Sequence, residues 1–130
     1  MATLDQVYNR RALEKEFSFS QAVRANGFLF ISGCVSWDLD GNPLHPGDWA
    51  AQVREVYNDI EATLRAEGMD FSNVVKETVF CRDMDALIAN NGVRAEYYKL
   101  CTPPASTWIQ ISRLVHEDLL LEVEIVAQKR

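Results

Sequence analysis

The chain has 130 residues, a length that suits one domain spanning 1–130 and burying roughly two-thirds of its unfolded surface. With 48% hydrophobic and 25% charged residues the balance is that of an ordinary globular protein, which excludes a disordered or low-complexity chain. The net charge of −6 argues against a phosphate-binding surface, so nucleic acid is not an expected partner.

Met1-Ala-Thr-Leu-Asp-Gln-Val7 lacks the basic start and apolar run of a signal peptide, and no stretch approaches the ~18 apolar residues of a membrane span. A soluble, cytoplasmic protein with no membrane partner is expected. Cys34, Cys81 and Cys101 are odd in number and widely spaced, which fits free buried thiols in a reducing compartment. The adjacent basic pairs Arg10-Arg11 and Lys129-Arg130 read as solvated ends of elements.

In chain order, Thr3 to Tyr8 reads as a short edge strand and Asn9-Arg10-Arg11 as a turn. Phe17 to Val23 alternates apolar and small polar residues, Arg24 to Gly27 supplies a turn, and Phe28 to Gly33 is nearly continuous in apolar character. That pattern predicts a hairpin whose second strand is buried on both faces. After a turn-rich loop at Asp38–Pro43, a helix is predicted from Asp48 to about Glu67, stopped by Gly68. Its apolar stripe is Trp49, Val53, Val56, Tyr57, Ile60 and Leu64. Val74 to Cys81 reads as a strand. A second helix, capped by Asp83 or Asp85, carries Leu87, Ile88, Asn91, Tyr98 and Leu100. Asn90-Asn91-Gly92 interrupts it, which marks either a site or a simple kink.

Pro103 to Val115 and Leu119 to Ala127 read as two central strands joined by a tight connection at His116–Asp118. Glu122 and Glu124 lie two residues apart in the second strand and share a face, while Leu121, Val123 and Ile125 line the other. The acidic face must meet water, a partner or a ligand, because a buried carboxylate without a partner is costly. The order of elements predicts an α+β domain with two helices packed on one face of a mixed sheet. The other sheet face then needs a cover, and another copy of the chain supplies it.

Familiar catalytic signatures are missing. There is no Gly-x-Ser-x-Gly elbow, phosphate loop or Cys-x-x-Cys, and His45 and His116 stand in separate loop-like stretches. No metal site is expected. Cys34 follows Gly33 directly, but no base is identifiable beside it and packing accounts for it.

Phe17–Arg24, Gly27–Gly33, Ala51-Gln-Val-Arg54, Val74–Phe80, Asn91 with Tyr97-Tyr98, and Leu121–Ala127 together resemble the YjgF/RidA (Rid) family of reactive-intermediate deaminases. The likeness runs through nearly the whole chain in order. It implies a chorismate-mutase-like α+β fold and a homotrimer whose sheets form an inner barrel, with small-molecule sites in clefts between subunits. It also implies hydrolysis of enamines or imines, including aminomuconate-like compounds, without cofactor or metal. Carried over by position, Glu122 is the water-orienting glutamate, and Ser32, Gly33, Asn91, Ser106 and Thr107 line the cleft. Phe19 stands where many members have tyrosine.

One departure matters. Against the family's Pro-Ala-Arg-Ser-Thr/Cys this chain reads Pro103-Pro-Ala-Ser-Thr107, with Ala105 in the place of the arginine that clamps a substrate carboxylate. Three explanations follow: another cation such as Arg24 or Arg113 reaches in, the substrate has a different acceptor or no carboxylate, or this chemistry is lost. A non-catalytic metabolite-binding trimer is the alternative, and ribonuclease activity fits the acidic charge worst.

Overall fold

The computed structural model describes residues 6–130, so the start of the expected Thr3–Tyr8 strand lies outside the described residues. Six strands form one mixed sheet: β1 (Val7–Tyr8), β2 (Ala22–Ala25), β3 (Phe28–Cys34), β4 (Val74–Cys81), β5 (Ala105–Gln110) and β6 (Leu121–Gln128). Their spatial order is β1-β2-β3-β6-β4-β5, with only β4 and β5 parallel. The helices are α1 (Ala12–Glu16), α2 (Trp49–Ala66), α3 (Met84–Ala89) and α4 (Asn91–Tyr98). α2 packs on β3 and β6, and α4 packs on α2, which leaves the opposite sheet face open.

Local chemistry accounts for the secure elements. The Asp48 carboxylate accepts from the Ala51 amide at 3.1 Å and starts α2. Gly68 ends it at φ +73°, while the Gly68 and Met69 amides close onto the carbonyls of Arg65 and Leu64. Val53, Val56, Tyr57, Ile60 and Leu64 are all buried against the sheet. In the β2–β3 hairpin Ala25 pairs with Phe28, and Asn26 and Gly27 take φ of +52° and +80°. Two left-handed residues are what a two-residue hairpin turn requires.

Several expectations change. Ala12–Glu16 forms a helix and Ser18 sits at φ +60°, so the strand expected from Phe17 begins only at Ala22. β3 is not buried on both faces: Leu29, Ile31 and Cys34 point inward, whereas Phe30 is 47% exposed on the open face. The second long helix divides at Asn90 into α3, capped by Asp83, and α4, and Leu100 lies beyond it and exposed. The last two strands are not neighbours. β6 is central between β3 and β4, whereas β5 is a parallel edge strand that ends at Gln110, and residues 111–120 cross between them. Parallel pairing of β4 and β5 places α3 and α4 in the crossover, as such pairs require a long connection. Arg11 is not a solvated end either; it is buried, with Nη1 and Nη2 bonded to Asp59 at 3.2 and 3.1 Å.

Candidate functional site

Strand alternation sorts the expected site residues onto two faces. On β6, Leu121, Val123 and Ile125 are buried beneath the helices, and Glu122 and Glu124 share the open face as expected. A register shift in β3 between Ile31 and Cys34 bulges Ser32 and Gly33 toward Glu122. Gly33 makes room for the carboxylate, since a Cβ added there would lie 2.5 Å from Glu122 Cδ. The Ser32 hydroxyl donates to the Ser20 carbonyl at 2.6 Å, which ties the loop bearing Phe19 to this bulge. Phe19 is itself 37% exposed.

Glu122 is half-buried, and its carboxylate makes no hydrogen bond or ion pair among the described residues. Burial pushes its carboxyl above the ordinary value, and the like charge of Glu124 pushes it in the same direction. The result is a carboxylate with free acceptor capacity and enhanced basicity.

The remaining residues gather around β4, β5 and α4. Lys76 pairs with Ala105, Glu77 with Ser106 and Thr78 with Thr107. Because directly paired residues share a face, Ala105 and Thr107 belong to the open side and Ser106 to the helix side. On the open side Lys76 Nζ donates to Thr107 Oγ1 at 2.5 Å. Thr107, Thr78 and Glu124 occupy one cross-strand row, so Thr107 and Glu124 are about 10 Å apart across two strand spacings.

On the helix side lies a polar cluster that sequence reasoning did not identify. Glu77 is fully buried. Its Oε1 accepts from the Tyr57 hydroxyl at 2.7 Å and the Tyr98 hydroxyl at 3.0 Å. Its Oε2 accepts from Ser106 Oγ and Arg94 Nε, both at 2.6 Å, and Arg94 Nη2 closes on it as well. Arg94 Nη1 reaches Asn91 Oδ1 at 3.3 Å, and the guanidinium lies 5.0 Å from the ring centre of Tyr98 and 5.6 Å from that of Trp108. Trp108 Nε1 in turn donates to Ser106 Oγ at 2.8 Å. Burial lowers the basicity of Arg94, but its bonds to Glu77 outweigh this and hold the guanidinium above its ordinary value. Burial also raises both tyrosine hydroxyls and keeps them as donors.

Glu77 did leave a trace in the sequence. It lies in phase with Val79 and Cys81, the apolar face of β4, where a carboxylate must find a partner. The partner itself had no such trace, because Arg94 stands on another element. Neither cation considered from sequence joins the cluster: Arg24 pairs with Glu67, and Arg113 Nε bonds the Leu114 carbonyl.

Within one chain, then, Gly33 of the Ser32–Gly33 bulge adjoins Glu122, Phe19 is tied to that bulge only through its neighbour Ser20, and Asn91 and Ser106 join a second group through Arg94 and Glu77. Three clefts of about 250, 360 and 360 Å³ open elsewhere, and Glu122 lines none of them. Cys34 is buried beside Gln21, and burial first and Asp59 second push its thiol well up, so packing rather than reactivity describes it. Among the described residues no group of three His, Cys, Asp or Glu could hold a metal ion, and no helix is long and apolar enough to cross a membrane.

Comparison with known proteins matches residues 9–129 to the model of a family described as endoribonuclease L-PSP. A RutC family protein of Pyrococcus horikoshii is 38% identical over 111 residues, covering 85% of this chain and 86% of that protein. The structure of YyfA from Yersinia pestis, a Rid family protein of unknown function, matches with a TM-score of 0.80 at 31% identity over 85% of this chain and 86% of the other. YjgF from E. coli matches with a TM-score of 0.78 at 27% identity, over 86% of this chain and 88% of the other.

Proposed function

The chain belongs to the endoribonuclease L-PSP family, which takes in the RutC, YjgF and Rid proteins, and we propose that it hydrolyses small imines or enamines, releasing ammonia by Glu122-assisted addition of water. The observation that carries this reading is the half-buried Glu122 carboxylate, seated on the Gly33 bulge without a hydrogen-bond or ion-pair partner among the described residues. Water held by Glu122 loses a proton to it as its oxygen bonds to the carbon of the protonated imine, the form an enamine reaches by taking a proton on carbon; the C=N electron pair moves onto nitrogen and a neutral carbinolamine forms. Glu122 returns that proton to the nitrogen, the C–N bond breaks as the carbinol hydroxyl gives its own proton to Glu122, and a carbonyl compound and ammonia leave, the ammonia taking the proton from Glu122 as ammonium. Raised basicity helps the carboxylate to accept and return that proton. No cofactor or metal enters this scheme.

We place the complete cleft between subunits of a homotrimer. Glu122, Ser32, Gly33 and Phe19 of one subunit would meet Asn91, Ser106 and Thr107 of its neighbour, with the open sheet faces turned inward. Support comes from the uncovered face itself, where Phe30 is 47% and Ile109 40% exposed. The RNA cleavage in the family's description is not carried over. A net charge of −6 and two carboxylates on the open face would repel a phosphate backbone. A second reading, a metabolite-binding trimer without turnover, is favoured by one observation: the guanidinium beside Ser106 is already engaged by Glu77.

The test is ammonia release from freshly generated 2-iminopropanoate, 2-iminopropanamide and 2-aminomuconate. At least one should turn over, and Glu122→Gln should lower that rate by roughly 10²–10⁴-fold. Turnover unchanged in Glu122→Gln would remove the mechanism. Saturable binding without turnover of any of them would favour the binding protein.

A further inference from the structure

Beside Asn91 and Ser106 the structure places a guanidinium whose charge is already answered. Glu77 contacts Arg94 through Nε and Nη2, and Asn91 takes Nη1, which leaves two of the five guanidinium N–H groups without a partner among the described residues. Those groups are still good donors, but they belong to a pair with no net charge. A carboxylate bound there would bring a second negative charge up to Glu77 in a largely dry setting, since the side chain of Glu77 is 0% and that of Arg94 12% exposed. A neutral oxygen acceptor would meet the same donors without that repulsion. The rings of Tyr98 and Trp108, 5.0 and 5.6 Å from the guanidinium carbon, add cation–π contacts that help hold it in place. Lys76, the cation paired with Ala105, stands on the opposite face of β4 and does not alter this balance.

We propose that the Glu77–Arg94 pair is the specificity determinant of the cleft, and that it selects substrates carrying a neutral acceptor, such as an amide, ester or ketone oxygen, over those carrying a carboxylate. The proposal rests on the cleft placed above at Asn91 and Ser106. Arg94 is the binding residue, and Glu77 acts through it by cancelling its charge. Replacing Glu77 with glutamine keeps an acceptor for Arg94 but releases the guanidinium's charge, which should invert the preference.

The experiment is a ligand-observed NMR titration with 2-oxopropanamide and 2-oxopropanoate, which match in size and differ in charge. The wild type should bind the amide at least ~10-fold more tightly than the carboxylate, the order of effect expected for one uncompensated like-charge contact. Glu77→Gln should reverse that order, and the uncharged pair Glu77→Gln/Arg94→Gln should lose the discrimination. A wild type that prefers the carboxylate, shows no preference or binds neither overturns the proposal, and this comparison needs no variant to fold. So does a folded Glu77→Gln that keeps the wild-type order. Glu122→Gln separates this inference from the hydrolysis: it should retain the amide preference while losing turnover. The preference without turnover in the wild type would refute only the hydrolysis, whereas Glu122-dependent turnover with a carboxylate preference would refute only the present inference.

Discussion

Glu122 shows how one residue's chemistry depends on its immediate neighbours. Its raised carboxyl must be ionised to accept a proton, so activity should fall as pH drops through a value above the ordinary glutamate range of about 4.3. Glu124→Gln removes the like charge, and the acid limb of the pH–rate profile should move to lower pH; an unmoved limb would leave burial as the only cause. Stability runs the other way. A carboxylate raised in the folded state favours the protonated form, so its destabilising effect is present above the raised value and disappears as pH falls to the unfolded one. Glu122→Gln should therefore be at least as stable as the wild type at neutral pH, with any advantage gone in acid. Gly33 has the complementary role. Gly33→Ala would set a methyl 2.5 Å from Glu122 Cδ and displace the carboxylate, so turnover should drop at least ~10-fold with a smaller loss of stability. A variant with normal rates would show that this carboxylate position is not needed.

Among the elements, the buried network at Glu77 joins four of them: β4 by Glu77 itself, α2 by Tyr57, α4 by Arg94 and Tyr98, and β5 by Ser106. Among the described residues edge strand β5 pairs with β4 alone, so this network adds to its one ladder. Arg94→Ala strands a buried carboxylate and should cost about 3–5 kcal/mol in urea unfolding, whereas Glu77→Leu/Arg94→Leu should recover most of that loss. Equal losses in the two would mean that shape rather than charge dominates. The boundaries of α2 and the presence of the hairpin at Asn26-Gly27 follow from local signals, namely an N-cap carboxylate, a terminal glycine and a turn with two left-handed residues, whereas the extent of β2 does not: it occupies Ala22–Ala25 rather than Phe17–Val23. β5 was misplaced as a central strand because its β-branched and aromatic run resembles a core strand, and pairing order has no local signal.

For the whole molecule, the open sheet face presents Phe28, Phe30, Phe80, Val126 and Ile109 beside the two carboxylates. The proposed trimer would cover that apolar area. Light scattering should give three times the chain mass, and Phe30→Asp should give monomers without imine hydrolysis; an active monomer would remove the intersubunit cleft. Residue order alone specifies the helix stripe of α2, the hairpin turn, the shared face of Glu122 and Glu124, and the family. Each depends on periodicity or on spacing within a short stretch, which the backbone converts directly into geometry. Tertiary packing alone puts β6 between β3 and β4, turns Ser106 rather than Ala105 toward the helices, and brings Glu77 to Arg94. Those facts come from contacts between distant segments, where burial forces a charge to find a partner but nothing local in the sequence says which one.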